Sequence, residues 1–123
     1  MSILPPKGRT GLARLIAAIG YSRAGIAAAF KGEAAFRQIV ALNAVLVPLA
    51  FFCPVNRGER ALMIAVCLLS LIVELFNSAI EAVVDRISEE RHPLSKNAKD
   101  MGSAAQSVAL ALIAAVWGVI LLG

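Results

Sequence analysis

The sequence contains few charged residues, few aromatic residues and only two cysteines. Charged residues make up 16% of its 123 residues and aromatic residues 6%. A soluble domain of this size keeps much of its surface in water and needs more charge to cover it, so the composition excludes an ordinary soluble domain. Cys53 and Cys67 form no CxxC or Cys/His spacing, and we interpret both as small packing residues.

The glycine-rich motifs of common nucleotide sites are also missing. Neither G-x-x-x-x-G-K-[ST] nor G-x-G-x-x-G occurs in the sequence. The first motif cradles phosphates in P-loop proteins, and the second does so in Rossmann domains and protein kinases. Any nucleotide site in this chain must therefore be built in another way.

Apolar side chains are abundant instead. They account for 59% of the residues, and the mean hydropathy is +0.80. A helix needs about 20 apolar residues to cross a bilayer. Three runs meet this requirement, at about 34–53, 61–84 and 101–122. The sequence therefore predicts an integral membrane protein.

The segment before the first span, at about 10–31, has apolar residues at helical spacing but is interrupted by Arg14, Arg23 and Lys31. Such a segment is typical of an amphipathic helix that lies in the membrane interface. The predicted fold is all-α, a single integral-membrane domain over residues 1–123. It has three transmembrane helices and one N-terminal interfacial helix.

Basic residues are distributed unevenly around the predicted spans. Five precede the first span and four lie within residues 85–100, whereas residues 54–60 contain two. By the positive-inside bias, the N-terminus and the 85–100 loop face the cytoplasm and the C-terminus faces outward. The net charge of +4 fits this bias. We therefore expect no nucleic-acid partner.

An acidic stripe runs along the second predicted span. Glu74, Asn77, Ser78, Glu81 and Asp85 are separated by helical intervals and share one face. A carboxylate inside the membrane costs about 2.5–3.5 kcal/mol on insertion scales, so it is functional by default. The alternative is that these acids pair with basic residues or hold helices together. Asn77 alone would serve the second purpose, so the stripe favours a cation site.

Glu33, just before the first span, lies at the predicted depth of Glu81. Two carboxylates at one level can bind Mg²⁺ and leave positions for water and phosphate. The 85–100 loop supplies positive charge nearby through Arg91, Lys96 and Lys99. Basic loops also contact anionic lipid headgroups, so the charge by itself leaves both interpretations open.

The third span carries small residues at intervals of four, namely Ser103, Ser107, Ala111 and Ala115. Such a stripe lets helices approach closely in lipid, which predicts a packing role. We expect Trp117 to belong to the outer aromatic belt. Three short helices do not easily enclose a polar site, so we expect a homo-oligomer with sites between subunits.

Three motifs resemble those of the prokaryotic diacylglycerol kinase family. They are E-A-A-F-R-Q at 33–38, E-L-F-N-S-A-I-E-A-V-V-D-R at 74–86 and A-K-D-M-G-S-A-A at 98–105. The resemblance extends from about Gly11 to the C-terminus. It implies a homotrimeric lipid kinase of the bacterial inner membrane, with its C-terminus in the periplasm. Such an enzyme uses Mg²⁺ and ATP to phosphorylate diacylglycerol to phosphatidic acid, at sites shared between protomers.

The resemblance also implies residue roles. Glu74 matches the catalytic base, and Glu33 and Glu81 match the carboxylates that hold the metal. The implied nucleotide contacts are Arg14, Tyr21, Glu33, Glu81, Glu90, Arg91, His92, Lys99 and Asp100, and the implied substrate contacts are Arg14, Glu74, Asn77 and Ser103. The chain departs from the family pattern at Gly32, Ile39 and Arg23. These departures bear on the lipid-entry region that the resemblance implies and leave the central acids intact.

Two other functions stay open at this point. Undecaprenol kinase is a related enzyme with the same acidic stripe, so the sequence does not separate the two lipid acceptors. A small proton-coupled multidrug transporter also places a glutamate in a short helical protein. Such transporters typically have four spans and one intramembrane glutamate, whereas this chain has three predicted spans, two acids and a basic loop. These features favour a kinase.

Overall fold

The structure, a computed structural model, describes residues 10–87 and 90–123. These residues form four helices: α1 (Gly11–Gly32), α2 (Ala34–Phe52), α3 (Arg57–Ile87) and α4 (Pro93–Leu122). The described ranges contain no strand. The all-α fold class predicted from the sequence is confirmed.

All four helices are long and apolar enough to cross a membrane, by length and composition. The most apolar windows of α3 and α4 have a mean hydropathy of 2.2, whereas that of α1 reaches 1.2. Because α1 also meets the criterion, its assignment as an interfacial helix stays a prediction. The same holds for the division into three spans and one interfacial helix.

The core lies where α3 packs against α2 and α4. Its buried residues are Ala50, Met63, Val66, Cys67, Ile113 and Trp117. Cys67 is fully buried in this cluster, and both Cys53 and Cys67 are free thiols. Cys67 therefore has the packing role predicted for it.

The predicted place of Trp117 in the aromatic belt is wrong. Its side chain is 8% exposed, and its Nε1 donates a hydrogen bond to the Met63 carbonyl oxygen at 3.1 Å. Trp117 lies near the C-terminal end of α4, but its ring faces α3 rather than lipid. A buried indole needs a partner for its N–H group, and the α3 backbone supplies one.

The stripe of small residues on α4 does not pack within this chain. Ser103, Ser107, Ala111 and Ala115 are all exposed. The buried face of α4 instead consists of Gly102, Gln106, Ala109, Ile113 and Trp117. The two helices approach closely at Gly102, where an added Cβ would collide with the side chain of Asn77 on α3.

Two sets of local hydrogen bonds stabilise the α2–α3 turn. Asn56 and Glu59 form a reciprocal capping box at the start of α3: the Glu59 N–H donates to Asn56 Oδ1 at 2.8 Å, and the Asn56 N–H donates to Glu59 Oε1 at 3.1 Å. Arg60 donates to three carbonyl oxygens, those of Ala50 and Cys53 at the end of α2 and that of Val55 in the turn. Arg60 thereby satisfies acceptors that the end of a helix leaves unpaired.

We expect Arg60→Met to lower the stability of the protein. The thioether cannot donate to these carbonyls, and an unsatisfied, partly buried acceptor costs about 1–3 kcal/mol. Thermal unfolding in detergent should show a midpoint several degrees lower. Arg57→Met is the control, because Arg57 is exposed and makes no hydrogen bond or ion pair with the described part of the chain. Equal midpoints for the two variants would contradict the capping role.

Candidate functional site

Glu33 is the single residue that separates α1 from α2. Its backbone is extended, with φ −125° and ψ 112°, and its N–H donates to the Ala29 carbonyl oxygen at 2.9 Å. Its side chain makes no capping hydrogen bond to α2, although it occupies the N-cap position. The carboxylate is therefore available for contacts with another helix.

Arg37 holds this junction in place. Its Nη1 donates to the carbonyl oxygens of Phe30 at 2.7 Å and Lys31 at 3.3 Å. These carbonyls belong to the last turn of α1, where helical partners are lacking. Arg37 on α2 thus ties α2 to the end of α1 and fixes where Glu33 lies.

Three acids meet on the inner side of α3. Glu74 is 3% exposed, and the side chains of Asn77 and Gln106 lie close to its carboxyl group. The carboxyl groups of Glu33 and Glu81 are near enough to act on each other, and the charges of both act on Glu74. Glu33, Glu74 and Glu81 therefore form the acidic cluster of this chain. Helical spacing predicted the two acids on α3, and the predicted depth of Glu33 placed it near Glu81.

A single chain is sufficient to bring the three acids together. The sequence predicts sites between subunits, because three short helices do not easily enclose a polar site, and this stays a prediction. Within one chain, the short α1–α2 junction brings Glu33 near α3.

A cavity of about 690 Å³ lies between the end of α3 and the start of α4. It is lined by five of the predicted nucleotide residues, Glu90, Arg91, His92, Lys99 and Asp100. Lys99 Nζ pairs with Asp85 Oδ1 at 2.6 Å, and Lys96 Nζ pairs with Asp100 Oδ2 at 2.6 Å. The charge of Lys99 also acts on Glu81, which links the cavity to the acids.

His92 has a local structural role in this cavity. Its Nδ1 accepts the Leu94 N–H at 3.1 Å, which caps the start of α4, and Pro93 occupies the first turn. The Nε2 edge is the part of the ring left for a ligand. His92 therefore combines a helix cap with its predicted place in the nucleotide cavity.

Three predicted contacts lie apart from the cluster. Arg14 and Tyr21 are exposed on α1, and Ser103 is exposed on α4. No hydrogen bond or ion pair joins any of these side chains to the acids within the described ranges. Arg14 is 19 residues before Glu33, which corresponds to about 28 Å of helix. The structure does not bring these three residues to the acids of the same chain.

A groove of about 670 Å³ separates α1 from α3. Glu33 lies at its edge, and its walls are small or apolar: Ser22, Gly25, Ile26, Ala28, Ala29, Gly32, Leu75, Ser78, Ala79 and Ala82. Gly32, where the chain departs from the family pattern, lines this groove. Ile39, another departure, is buried, and Arg23 is exposed.

Sequence reasoning missed Gln106. Its side chain is buried beside Glu74, and its Nε2 donates to the Ser70 carbonyl oxygen at 3.2 Å. The available signal was a glutamine within the apolar run of the third predicted span. A buried polar side chain in a membrane helix marks a contact with another polar group.

Comparisons with known proteins identify the family. Residues 20–121 match the family described as prokaryotic diacylglycerol kinase. The chain belongs to this family. It is 72% identical to the protein named diacylglycerol kinase of Pseudomonas aeruginosa over 123 residues, which is the full length of both chains. The family membership predicted from the motifs is confirmed.

Other family members of the same name are more distant. The protein from Haemophilus influenzae is 50% identical over 112 residues, which cover 91% of this chain and 95% of the relative. The protein from Escherichia coli K12 is 47% identical over 112 residues, which cover 91% of this chain and 92% of the relative. The similarity therefore extends over nearly the whole length of each protein.

The family resemblance implies Mg²⁺, and the acidic cluster fits an ion that arrives with a nucleotide. The Glu33 and Glu81 carboxyl groups form a pair. The described residues contain no group of three or more His, Cys, Asp or Glu side chains that would hold a metal by themselves. Mg²⁺ is usually bound by one or two carboxylates together with substrate phosphates. The Glu33–Glu81 pair has this composition.

Proposed function

We propose that this chain is a lipid kinase that transfers the γ-phosphoryl group of ATP to the hydroxyl group of diacylglycerol and produces phosphatidic acid. The family membership and the shared name of the relatives support this function. The observation that carries it is the joint position of buried Glu74 with Glu33 and Glu81, on which Lys99 of the cavity between α3 and α4 acts through Glu81.

Glu74 is the general base in this proposal. It accepts the proton of the lipid hydroxyl while the hydroxyl oxygen attacks the γ-phosphorus in line. The new O–P bond forms as the bond from the γ-phosphorus to the bridging oxygen breaks, and ADP leaves. The side chains of Asn77 and Gln106 lie close to this carboxyl group.

The remaining groups serve the nucleotide. Glu33 and Glu81 would hold Mg²⁺, which supplies charge neutralisation for the phosphates. Lys99 and Arg91 contribute positive charge from the cavity between α3 and α4. Lys99 is paired with Asp85 in this structure, so phosphate binding exchanges one anionic partner for another. Phosphoryl transfer depends mainly on such positioning and charge stabilisation.

We assign α1 to the membrane interface and the other three helices to spans of the bacterial inner membrane. Two observations support this. The mean hydropathy of α1 is the lowest of the four, and Glu33 alone separates α1 from α2. An antiparallel helical hairpin requires a loop of about 2–5 residues, so this junction does not suit two consecutive spans. The basic N-terminal segment and residues 85–100 then face the cytoplasm, and the C-terminus faces the periplasm. Of these, 85–87 and 93–100 belong to the ends of α3 and α4 rather than to the loop predicted from the sequence.

We further propose a homotrimer in which neighbouring chains complete each site. Arg14, Tyr21 and Ser103 are exposed and separate from the acids of their own chain. A neighbouring chain could place its α1 and α4 residues against those acids. The exposed small-residue face of α4 also suits close contact with another helix in lipid.

Purified protein in lipid, incubated with radiolabelled ATP and Mg²⁺, tests the activity. We expect label to enter phosphatidic acid when diacylglycerol is supplied, and little label to enter lipid when undecaprenol is supplied. Transfer to undecaprenol alone would reassign the acceptor. Transfer to neither lipid would contradict the proposed kinase function.

The metal pair gives a separate prediction. Glu33→Gln and Glu81→Gln each remove one negatively charged ligand, so both should raise the Mg²⁺ concentration needed for half-maximal rate, by about tenfold. The measurement is a magnesium titration at saturating lipid. Glu59→Gln is the control, since Glu59 caps the opposite end of α3. Unchanged magnesium dependence in both site variants would contradict the paired-carboxylate site.

A further inference from the structure

We propose that Asn43 is a positioning residue that holds α2 against α3 through Ser70 and thereby sets the position of Glu33 beside α3. This inference rests on the proposed lipid kinase function, in which Glu33 is a metal ligand. Neither Asn43 nor Ser70 lies in the three motifs that carry the family resemblance, and none of the roles implied by the resemblance falls on them.

Two hydrogen bonds join α2 to α3 within residues 10–87 and 90–123. Near the α2–α3 turn, Arg60 Nε donates to the Ala50 carbonyl oxygen at 3.0 Å. In the middle of α2, Asn43 Nδ2 donates to Ser70 Oγ at 3.2 Å. Bonds at two heights along a helix fix its tilt as well as its position. Asn43 therefore controls the half of α2 that follows Glu33.

Glu33 faces the part of α3 that carries the acids. It lines the groove between α1 and α3 together with Ser78, Ala79 and Ala82, which flank Glu81 along the chain. Asn43 is ten residues after Glu33, which corresponds to about 15 Å of helix. Of the two attachment points it is the nearer one, so a shift of α2 at Asn43 moves Glu33 relative to α3.

The amide of Asn43 has a single satisfactory orientation. Its Nδ2 donates to the Ile39 carbonyl oxygen at 3.1 Å as well as to Ser70 Oγ. Turning the amide over would place Oδ1 against the Ile39 carbonyl oxygen, and two acceptors would face each other. The Ser70 hydroxyl is fully buried and donates to the Cys67 carbonyl oxygen at 2.6 Å. The bond between Asn43 and Ser70 is thus anchored on the backbones of both helices.

Stability does not explain the choice of an asparagine at this position. Asn43 is 6% exposed, and its Oδ1 has no hydrogen-bond partner in the described part of the chain. An unpaired buried acceptor is destabilising, and an apolar side chain would avoid it. Apolar faces specify the register of a membrane helix poorly, because lipid is equally apolar, whereas a single buried amide can specify it. Asn43 is therefore better explained by the register of α2.

Gln106 provides a matched comparison on α4. It is 8% exposed, and its Nε2 donates to the carbonyl oxygen of Ser70 at 3.2 Å. Its Oε1 also lacks a partner within the described ranges. Gln106 contacts the same residue of α3 as Asn43, but it attaches α4 rather than α2. It separates the loss of a buried amide from the displacement of Glu33.

The test compares Asn43→Leu with Gln106→Met in the full-length protein, reconstituted in lipid with ATP and diacylglycerol. We expect Asn43→Leu to raise the Mg²⁺ concentration for half-maximal rate about fivefold, the effect of one net hydrogen bond. Its thermal unfolding midpoint should stay within a few degrees of wild type. Gln106→Met should keep the magnesium dependence within about twofold. Equal shifts in the two variants, or an unchanged magnesium dependence in Asn43→Leu, would overturn the inference.

Two further variants complete the test. Ser70→Ala removes the acceptor of Asn43 but keeps the carbonyl group that Gln106 contacts, so it should behave like Asn43→Leu. It also provides the test if the leucine variant does not fold. In the Glu33→Gln background the positioned ligand is already lost, so Asn43→Leu should have an additional effect below about twofold. A full fivefold effect in that background would show that Asn43 acts independently of Glu33.

A binding measurement separates this inference from the proposed function. Mn²⁺ prefers the same oxygen ligands as Mg²⁺, and its binding together with ATP can be followed by electron paramagnetic resonance without turnover. No lipid phosphorylation by wild-type protein would count against the kinase function, while weaker Mn²⁺ binding in Asn43→Leu would still support the role of Asn43. An active wild-type protein with unchanged Mn²⁺ binding in Asn43→Leu would count against the role of Asn43 alone.

Discussion

Glu74→Gln should reduce phosphoryl transfer by at least about a hundredfold, because general base catalysis typically contributes a factor of that order or more. Glutamine has nearly the same shape as glutamate but cannot accept the proton of the lipid hydroxyl. Folding and Mg·ATP affinity should stay close to wild type, since Glu33 and Glu81 are intact. The measurements are the initial rate with labelled ATP, nucleotide affinity and the thermal unfolding midpoint.

Glu59→Gln is the appropriate control for this experiment. It makes the same chemical change on the same helix, and glutamine can replace glutamate in a capping box, so the rate should be near wild type. A parallel loss of Mg·ATP affinity in Glu74→Gln would instead make Glu74 a metal ligand. A rate within a few-fold of wild type would exclude Glu74 as the base.

Mixed oligomers should distinguish site residues that come from the same chain as Glu74 from site residues that a neighbouring chain supplies. If α1 of a neighbouring chain supplies Arg14, then Glu74→Gln and Arg14→Ala protomers complement each other in one trimer. Random mixing of equal amounts leaves about a quarter of the sites with both groups intact, and about a quarter of the wild-type rate should return. Each variant by itself should remain near background.

The acids supply the matched control for mixing. Glu33 and Glu74 meet within one chain, so Glu33→Gln and Glu74→Gln protomers should stay near background when mixed. Subunits must exchange in detergent before reconstitution, and a pulldown with two different tags verifies that they do. Recovery by the acid pair would show that the acids come from different chains. No recovery by either pair, despite verified mixing, would contradict the shared site.

The acidic stripe could be predicted because helical geometry is rigid. The intervals between Glu74, Asn77, Glu81 and Asp85 fix their common face regardless of the surrounding structure. The structure buries Glu74 and Asn77, leaves Glu81 partly exposed and exposes Asp85 at the helix end. The depth of Glu33 followed from its place just before an apolar run. Its position near Glu81 depends on the α1–α2 junction, which no local pattern encodes.

The orientation of α4 could not be predicted in the same way. Around a membrane helix the lipid is as apolar as the protein interior, so the apolar pattern does not identify the buried face. For this reason the apolar pattern predicts packing at the stripe that contains Ser103 and Ser107, which is exposed, and places Trp117 in the outer aromatic belt, although its ring is buried. The two residues that reveal the true face are Gly102, which allows close approach to Asn77, and Gln106, which contacts Ser70. Both contacts become apparent only when α3 and α4 are seen together.

The length of α3 has a consequence for how the two reactants meet. Its 31 residues extend about 46 Å, whereas the hydrocarbon of a bilayer is about 30 Å thick. The helix therefore continues past the hydrocarbon whatever its tilt within ordinary limits, and Glu74 and Glu81 lie in its C-terminal half. Seven residues, or about 10 Å, separate Glu74 from Glu81. A lipid alcohol can thus react while its acyl chains remain in the bilayer hydrocarbon, and a nucleotide can react while its base remains in water. Neither molecule has to be transferred between the two media.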